Sequence, residues 1–424
     1  MKNDYKLILK RNSKEYAEYL DKTIKEFNSN GKKTILYVCD TYFPIFDGVV
    51  NVMDNYAKSM VKLGYNVIAL TTDYRGKVYI TDYPVIAVKS VFSKLINYQI
   101  PLPDFDGKAK KALKSLKIDL IHCHSPFFVG NMARKIHIKR NIPMISTLHS
   151  QYRQDFEKYV KVKFIVNLMM KRIMRVFNSS DEVWTMVRSA EEVLRSYGYK
   201  GKTRLIPNGT NFYPSKDYDK ERYAVRTKYG VGEEPLLLFV GRLVIQKNIL
   251  FVADVLKELK TRKIPFKMIF VGEGPDRKKL EKRIKENGIA EDCTLLGYVS
   301  DKNALAEIYS AADLFLFPSK YDTSSIVQVE AASRLLPGAF IKGSVTAGTV
   351  TDGVNGYVLN ENEYIDGVCA ALSDKGKLTE IGKNAFKDLY KNWEDITVFV
   401  EENYRDFLDG IEKSKDNKAE DRKK

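Results

Sequence analysis

Residues 236–248 read LLLFVGRLVIQKN: an apolar run, a glycine, then two cations five positions apart. An uninterrupted apolar run of this length reads as a strand buried on both faces. The spacing predicts a helix directly after it with Asn248 as its cap, so a strand feeds a helix through a short basic turn. The pattern recurs in FKMIFVG (266–272), CTLLG (293–297), DLFLF (313–317) and GAFIK (338–342). It is also found earlier, in TILYVC (34–39), NVIAL (66–70), PVIAV (84–88), DLIHCH (119–124), PMISTL (143–148) and EVWTM (182–186). Helix-periodic stretches such as VNVMDNYAKSMVKLG (50–64) and SAEEVLRSYG (189–198) separate these runs. Apolar strands alternating with helices imply a parallel sheet covered on both faces.

Two such series imply an α/β protein with two doubly wound, Rossmann-like domains. They join near IPNGTNFYPSKDYD (206–219), whose Pro, Gly, Asn and Asp suit a linker. We expect a helical extension over 1–32, with an amphipathic helix at 12–27. The first domain is expected at 33–207, the second at 208–390, a further helix at 391–411 and a disordered tail at 412–424, where nearly every residue is charged.

A chain of 424 residues suffices for two full cores, and 44% hydrophobic with 29% charged residues is an ordinary globular composition. Cys39, Cys123, Cys293 and Cys369 show neither CxxC nor CxH spacing, which reads as free thiols in a reducing cytosol. The first residues lack the apolar core of a signal peptide. The richest apolar stretch, KFIVNLMMKRIMRVF (163–177), is interrupted by Asn167, Lys171 and Arg172, so no membrane span is expected.

The net charge of +16 is unevenly distributed. Residues 1–210 hold 36 Lys and Arg against 19 Asp and Glu, while the remainder holds 34 against 35. Within 131–176 there are 11 basic and 2 acidic residues. An even compositional bias would charge both halves alike, so the first half is expected to face something anionic, a membrane surface foremost.

In open parallel sheets, ligands bind beyond the carboxyl ends of the strands, so chemistry is sought there. Arg242 and Lys247 beside helix amides suit a diphosphate, one as a fork and one as a point charge. FVGEGPDRKKL (270–280) brings Gly272 and Glu273 into a turn, with Pro275 expected at the first helical position; its GxG alone signals only a tight turn. After CTLLG, Tyr298 and Val299 offer a surface for a flat base. In KYDTSSIVQVEAAS (320–333), Ser325 and Gln328 have capping-box spacing, which starts a helix at Ile326. Asp322 then lies before the helix and Glu330 in its second turn, with the amides of Ser325, Ile326 and Val327 between them. In the first half Gly48 turns the chain into a helix and lets backbone approach an anion. Three of the four histidines, His122, His124 and His149, fall at two adjacent strand ends. His122 and His124 share a face, and His124 lies nearer the carboxyl edge. Asp104 and Asp106 form an acid-x-acid pair before a basic helix, which they more plausibly cap than use to hold a metal.

Taken together, DGVVNV, DLIHCHSP, GRLVIQKN, VGEGPDRKKL, ADLFLFPSKYDTSSIVQVEAAS and GVNGYVL resemble the retaining glycosyltransferases of family 4. The resemblance covers roughly residues 33–405. It implies the GT-B fold, two Rossmann-like domains facing a central cleft, and a bacterial enzyme of lipid or polysaccharide glycosylation. It also implies roles. Arg242 and Lys247 would neutralise the diphosphate of a nucleotide sugar, expected to be UDP-linked, helped by Gly48 and the helix amides. Glu330 would hold the ribose hydroxyls, and Asp322 the transferred sugar. At about 1.5 Å per residue, the five helical residues to Glu330 span roughly 8 Å, the scale of a diphosphate with a sugar at each end. His124 would touch the sugar, while His149 and Tyr152 would face the acceptor. No divalent metal or other cofactor is implied. Asp322 stands where the family has Glu, and Asp47-Gly48 where it has Gly-Gly.

The expected reaction is transfer of a hexose to the hydroxyl of a membrane lipid or lipid-linked glycan, by a cytoplasmic enzyme in contact with the inner face of the membrane. A polysaccharide acceptor is the first alternative and a UDP-sugar epimerase the second. Nucleic acid is not an expected partner, because aromatic and basic residues are not interleaved on one element.

Overall fold

The computed structural model describes residues 5–45, 47–93, 98–320, 322 and 326–421, leaving aside the side chains of residues 98 and 414–421. The chain forms two compact units. The first runs to Met186 and takes in Glu191–Ile206 and the chain from Glu394 onward; the second comprises Val187–Ala190 and Pro207–Trp393.

The first unit is built on β1 (Thr34–Val38), β2 (Asn66–Thr72), β3 (Val85–Val88), β4 (Leu120–Cys123), β5 (Met144–Thr147), β6 (Glu182–Thr185) and β7 (Thr203–Leu205). All pair in parallel, in the order β7-β6-β5-β4-β1-β2-β3. Every residue of β1 to β6 is buried, as continuous apolar runs require of a sheet covered on both sides. The helices used below are α1 (Lys14–Ser29), α2 (Gly48–Lys62), α3 (Gly107–Ser115), α4 (Phe128–Arg140), α5 (Tyr152–Tyr159) and α6 (Lys163–Ser179).

Helix α1 is capped by Ser13, whose hydroxyl accepts from the Tyr16 amide, and buries Tyr16, Leu20, Thr23 and Ile24 along one stripe. Its Tyr16 hydroxyl bonds the Val85 carbonyl and the Ala87 amide, which fastens the extension to the β3 edge. A strand at Leu7–Lys10 precedes it, paired antiparallel with Lys77–Ile80. The sequence did not announce this strand, because its partner lies some 70 residues away.

The second unit holds β8 (Leu236–Val240), β9 (Lys267–Val271), β10 (Cys293–Gly297), β11 (Leu314–Phe317), β12 (Gly338–Ile341) and β13 (Tyr357–Leu359), parallel in the order β10-β9-β8-β11-β12-β13. Its relevant helices are α7 (Ile249–Thr261), α8 (Arg277–Glu286), α9 (Lys302–Ala311) and α10 (Ile326–Ser333). Both sheets have the Rossmann strand order, which reverses direction once. The reversal falls between β1 and β4 in the first unit and between β8 and β11 in the second.

Helix α11 (Trp393–Asp421) leaves the second unit and packs on the first. Its Tyr404 stacks on Trp184 at 5.1 Å, and the Tyr404 hydroxyl lies 3.1 Å from that of Tyr37. Glu401 accepts from the Tyr65 hydroxyl at 2.7 Å. The tail expected to be disordered from residue 412 is instead a continuation of this helix through Asp421. Among the described residues, no helix is long and apolar enough to cross a membrane.

Candidate active site

The reversal point of the second sheet collects most of the residues singled out above. Gly241 and Arg242 follow β8. The exposed Arg242 guanidinium has no ion-pair partner among the described residues. Lys247 reaches across to the end of β11, where its ammonium lies 2.6 Å from an Asp322 carboxylate oxygen and 5.0 Å from the centre of the Phe317 ring. The other Asp322 oxygen is buried without a hydrogen bond. The sequence assigned Lys247 to a phosphate and Asp322 to a sugar; here the two are joined, so a ligand must exchange places with that contact. Asn248 is not the expected side-chain cap. It sits in the left-handed region at φ 56°, and its amide donates 2.9 Å to the Pro318 carbonyl, clamping the β8 loop to the β11 loop.

Close backbone packing holds the loops after β8, β9 and β10 together. The Gly272 amide donates to the Gly297 carbonyl, and the Leu243 amide to that of Glu273, at 2.8 and 3.0 Å. A Cβ on Gly272, at φ +131°, would stand 2.0 Å from the Gly241 carbonyl oxygen, and one on Gly274 2.2 Å from that of Leu243. These glycines therefore serve the crossing of two strand-end loops. Glu273 is paired with Arg277. Pro275 lies outside α8, which starts at Arg277 with Asp276 at its cap position. The Asp276 side chain accepts from the Ile245 amide at 3.0 Å, binding the basic turn to the neighbouring loop. The Tyr298 ring stands 62% exposed beside this assembly, whereas Val299 is partly buried against the core.

Helix α10 starts at Ile326, as the spacing predicts; Ser325 lies outside the described residues. The Gln328 amide donates to the Thr349 hydroxyl at 3.1 Å, and the capping box expected with Ser325 falls outside the described residues. Ile326 and Val327 are partly buried in the first turn, with Glu330 one turn on. A Glu330 oxygen accepts 2.9 Å from the Tyr309 hydroxyl of α9. Burial pushes the Glu330 carboxyl up to about 7, against the opposing pull of Tyr309 and Lys302. Sequence reasoning missed Tyr309. Inside an apolar helix it has the look of a core aromatic, and nothing local reveals that its hydroxyl orients an acid.

In the first unit the structure separates the histidines. His122 engages both ring nitrogens, with Thr147 at 2.7 Å and with the Tyr404 hydroxyl, so it is a structural residue. His124 Nδ1 lies 2.9 Å from His149 Nε2, the rings stacked at 5.1 Å, while His124 Nε2 is buried with no partner. Burial lowers all three, His149 to about 3, so the His124–His149 pair is neutral and one ring donates to the other. His149 thus orients His124. Tyr152, expected at the acceptor, is 4% exposed and packs between Phe127 and Phe177; it is a core residue.

Gly48 opens α2, and a Cβ there would meet no atom within 4 Å, leaving open space above it. Asp47 caps the helix by accepting from the Val50 amide at 2.9 Å. The buried Asp40 likewise fills the start of α4, accepting from the Val129 amide and the Ser125 hydroxyl; its burial raises it to about 6. The acid-x-acid pair holds no site. Asp106 caps α3 through the Ala109 amide and pairs with buried Arg11, while Asp104 pairs with Lys135.

A Rossmann sheet with cations and carboxylates gathered at its reversal point, in a chain carrying a second such sheet, fits a glycosyltransferase of the GT-B type. Two family descriptions match in succession, "Glycosyltransferase Family 4" over residues 46–212 and "Glycosyl transferases group 1" over 222–388, and the chain belongs to the family 4 glycosyltransferases. It is 27% identical over 341 residues to an alpha-monoglucosyldiacylglycerol synthase of Acholeplasma laidlawii, covering 77% of this chain and 84% of that one. An enzyme of the same name from Streptococcus pneumoniae is 27% identical over 309 residues, covering 70% and 68%. In fold the chain is similar to Anabaena HepE in complex with UDP-glucose, at a TM-score of 0.70 and 17% identity over 88% of this chain and 99% of that one.

Proposed function

We propose that the chain transfers a hexosyl group from a UDP-sugar to the hydroxyl of a membrane lipid, with retention of anomeric configuration, from the cytoplasmic face of the membrane. The observation that carries this is the gathering of Arg242, Lys247, Asp322 and the first turn of α10 at one sheet reversal, with Glu330 a turn further on. The leaving diphosphate gains negative charge as the anomeric bond breaks. A guanidinium, an ammonium and a helix N-terminus lower the barrier by stabilising that charge. The sugar hydroxyls take Asp322 as the diphosphate draws Lys247 away from it. Glu330, held by Tyr309, accepts from the ribose hydroxyls. The acceptor proton passes to the leaving phosphate, and no divalent metal takes part.

The UDP-glucose named in the HepE complex supports the donor class, and the diacylglycerol in the names of the two relatives supports the acceptor. The test is a screen of UDP-, GDP- and ADP-sugars with diacylglycerol in detergent micelles, reading nucleotide release in the presence of a chelator. UDP-sugars should turn over, and Arg242→Ala should lower kcat/KM by about 100-fold. Turnover with no acceptor dependence would refute transfer, and release confined to GDP- or ADP-sugars would refute the donor.

A further inference from the structure

The corner between α5 and α6 presents apolar side chains to solvent. Tyr159 is 78% exposed, Val162 55%, Phe164 76%, and Ile165 and Leu168 44% each. From residue 158 to 180 the chain has six cations, Lys158, Lys161, Lys163, Lys171, Arg172 and Arg175, and no acid. Helix α6 turns one face inward, burying Val166, Met170, Ile173, Met174, Val176 and Phe177. At 3.6 residues per turn, Phe164, Ile165, Leu168, Lys171, Arg172 and Arg175 fall within about a third of the wheel on the opposite side. The outward stripe is therefore apolar for its first turn and a half and cationic after that. Alkyl stems of Lys and Arg can lie along such a surface with their charges held in water.

We infer that this corner is a membrane-insertion surface: Tyr159, Val162, Phe164, Ile165 and Leu168 enter the acyl boundary of an anionic bilayer while the flanking cations bind its phosphates. Charge complementarity selects this occupant. A protein groove would need acids to match the cations on both sides of the apolar tips, before Phe164 and from Lys171 on, whereas an anionic leaflet offers phosphates throughout and accepts exposed aromatic and aliphatic tips. The corner also stands near the acceptor end of its sheet. Helix α5 begins three residues after His149, and its eight residues span only about 12 Å. The inference rests on the lipid-acceptor reading for its purpose, but its geometry is independent of it.

The experiment is sedimentation of the full chain with vesicles of phosphatidylcholine alone or mixed with phosphatidylglycerol, at low and high salt. It compares the wild type with F164S/I165S/L168S and with K171E/R172E. All five positions are exposed, so circular dichroism should be unchanged. The wild type should bind the mixed vesicles, less so at high salt, and each variant should bind at least about tenfold more weakly. Undiminished binding by both variants, equal binding to both vesicle types, or no binding by the wild type would overturn the surface. So would a change of oligomeric state in the apolar variant with vesicle binding intact, which would mark the corner as a contact with a second copy. Nucleotide release with micellar diacylglycerol is read in parallel. If vesicles bind as stated but diacylglycerol is not glycosylated, the acceptor reading fails and the surface stands.

Discussion

Glu330 is the acid of the candidate site whose charge changes near neutrality. Its neighbourhood raises it to about 7, so it is ionised above that pH and neutral below. An ionised carboxylate accepts strongly from two ribose hydroxyls, and a protonated one does so weakly. The KM for the nucleotide sugar should therefore fall as pH rises through about 7. The neutral histidines, with His149 at about 3, contribute no titration in that range. Glu330→Gln should remove the pH dependence and hold KM on the order of tenfold above the alkaline wild-type value, as expected for loss of charge-assisted hydrogen bonds. A wild-type KM independent of pH between 6 and 8 would show that the ribose is held by other groups.

Among the connecting elements, α3 and the chain before α1 are fixed by one buried pair. Arg11 and Asp106 are 5% and 2% exposed; Asp106 also accepts from the Ala109 and Lys89 amides, and Arg11 donates to the Ala87 carbonyl. Arg11→Met should leave a carboxylate uncompensated and lower the unfolding free energy of the first unit by about 3–5 kcal/mol in a urea titration. A loss below about 1 kcal/mol would show that the backbone donors suffice. The sequence disclosed the cap at Asp106 but not its partner. The same division holds elsewhere. Eleven strands were legible from their apolar composition, ten of them largely buried and β10 half-buried at the sheet edge, and α10 was legible from its spacing. The strand at Leu7–Lys10, Tyr309 and the Asn248 clamp were not, since each is defined by a partner elsewhere in the chain, and the three-residue edge strand β13 was too short to stand out. Lys247 and Asp322 were both singled out, yet their mutual contact depends on loops from two different strands. The packing of Tyr152 between Phe127 and Phe177 was not legible, because position beside a strand end does not say which way a ring points.

Across the full chain, the first unit is completed by its last helix. His122 and Tyr404 are separated by 282 positions and Tyr37 and Tyr404 by 367, yet all three meet in one buried cluster with Trp184. A chain ending after Trp393 should lose amide protection in β4, β5 and β6 by hydrogen exchange while β8, β9 and β11 keep theirs. Equal protection of both sets would show that α11 is dispensable.

During synthesis, the residues of β1–β7 leave the ribosome long before Tyr404 exists. The histidine row at their edge must wait, unfinished, while nearly all of the second unit is translated behind it. Only after residues 207–393 have been translated does the ring that packs against His122 arrive, so a polypeptide terminated before Tyr404 carries an unfinished first unit.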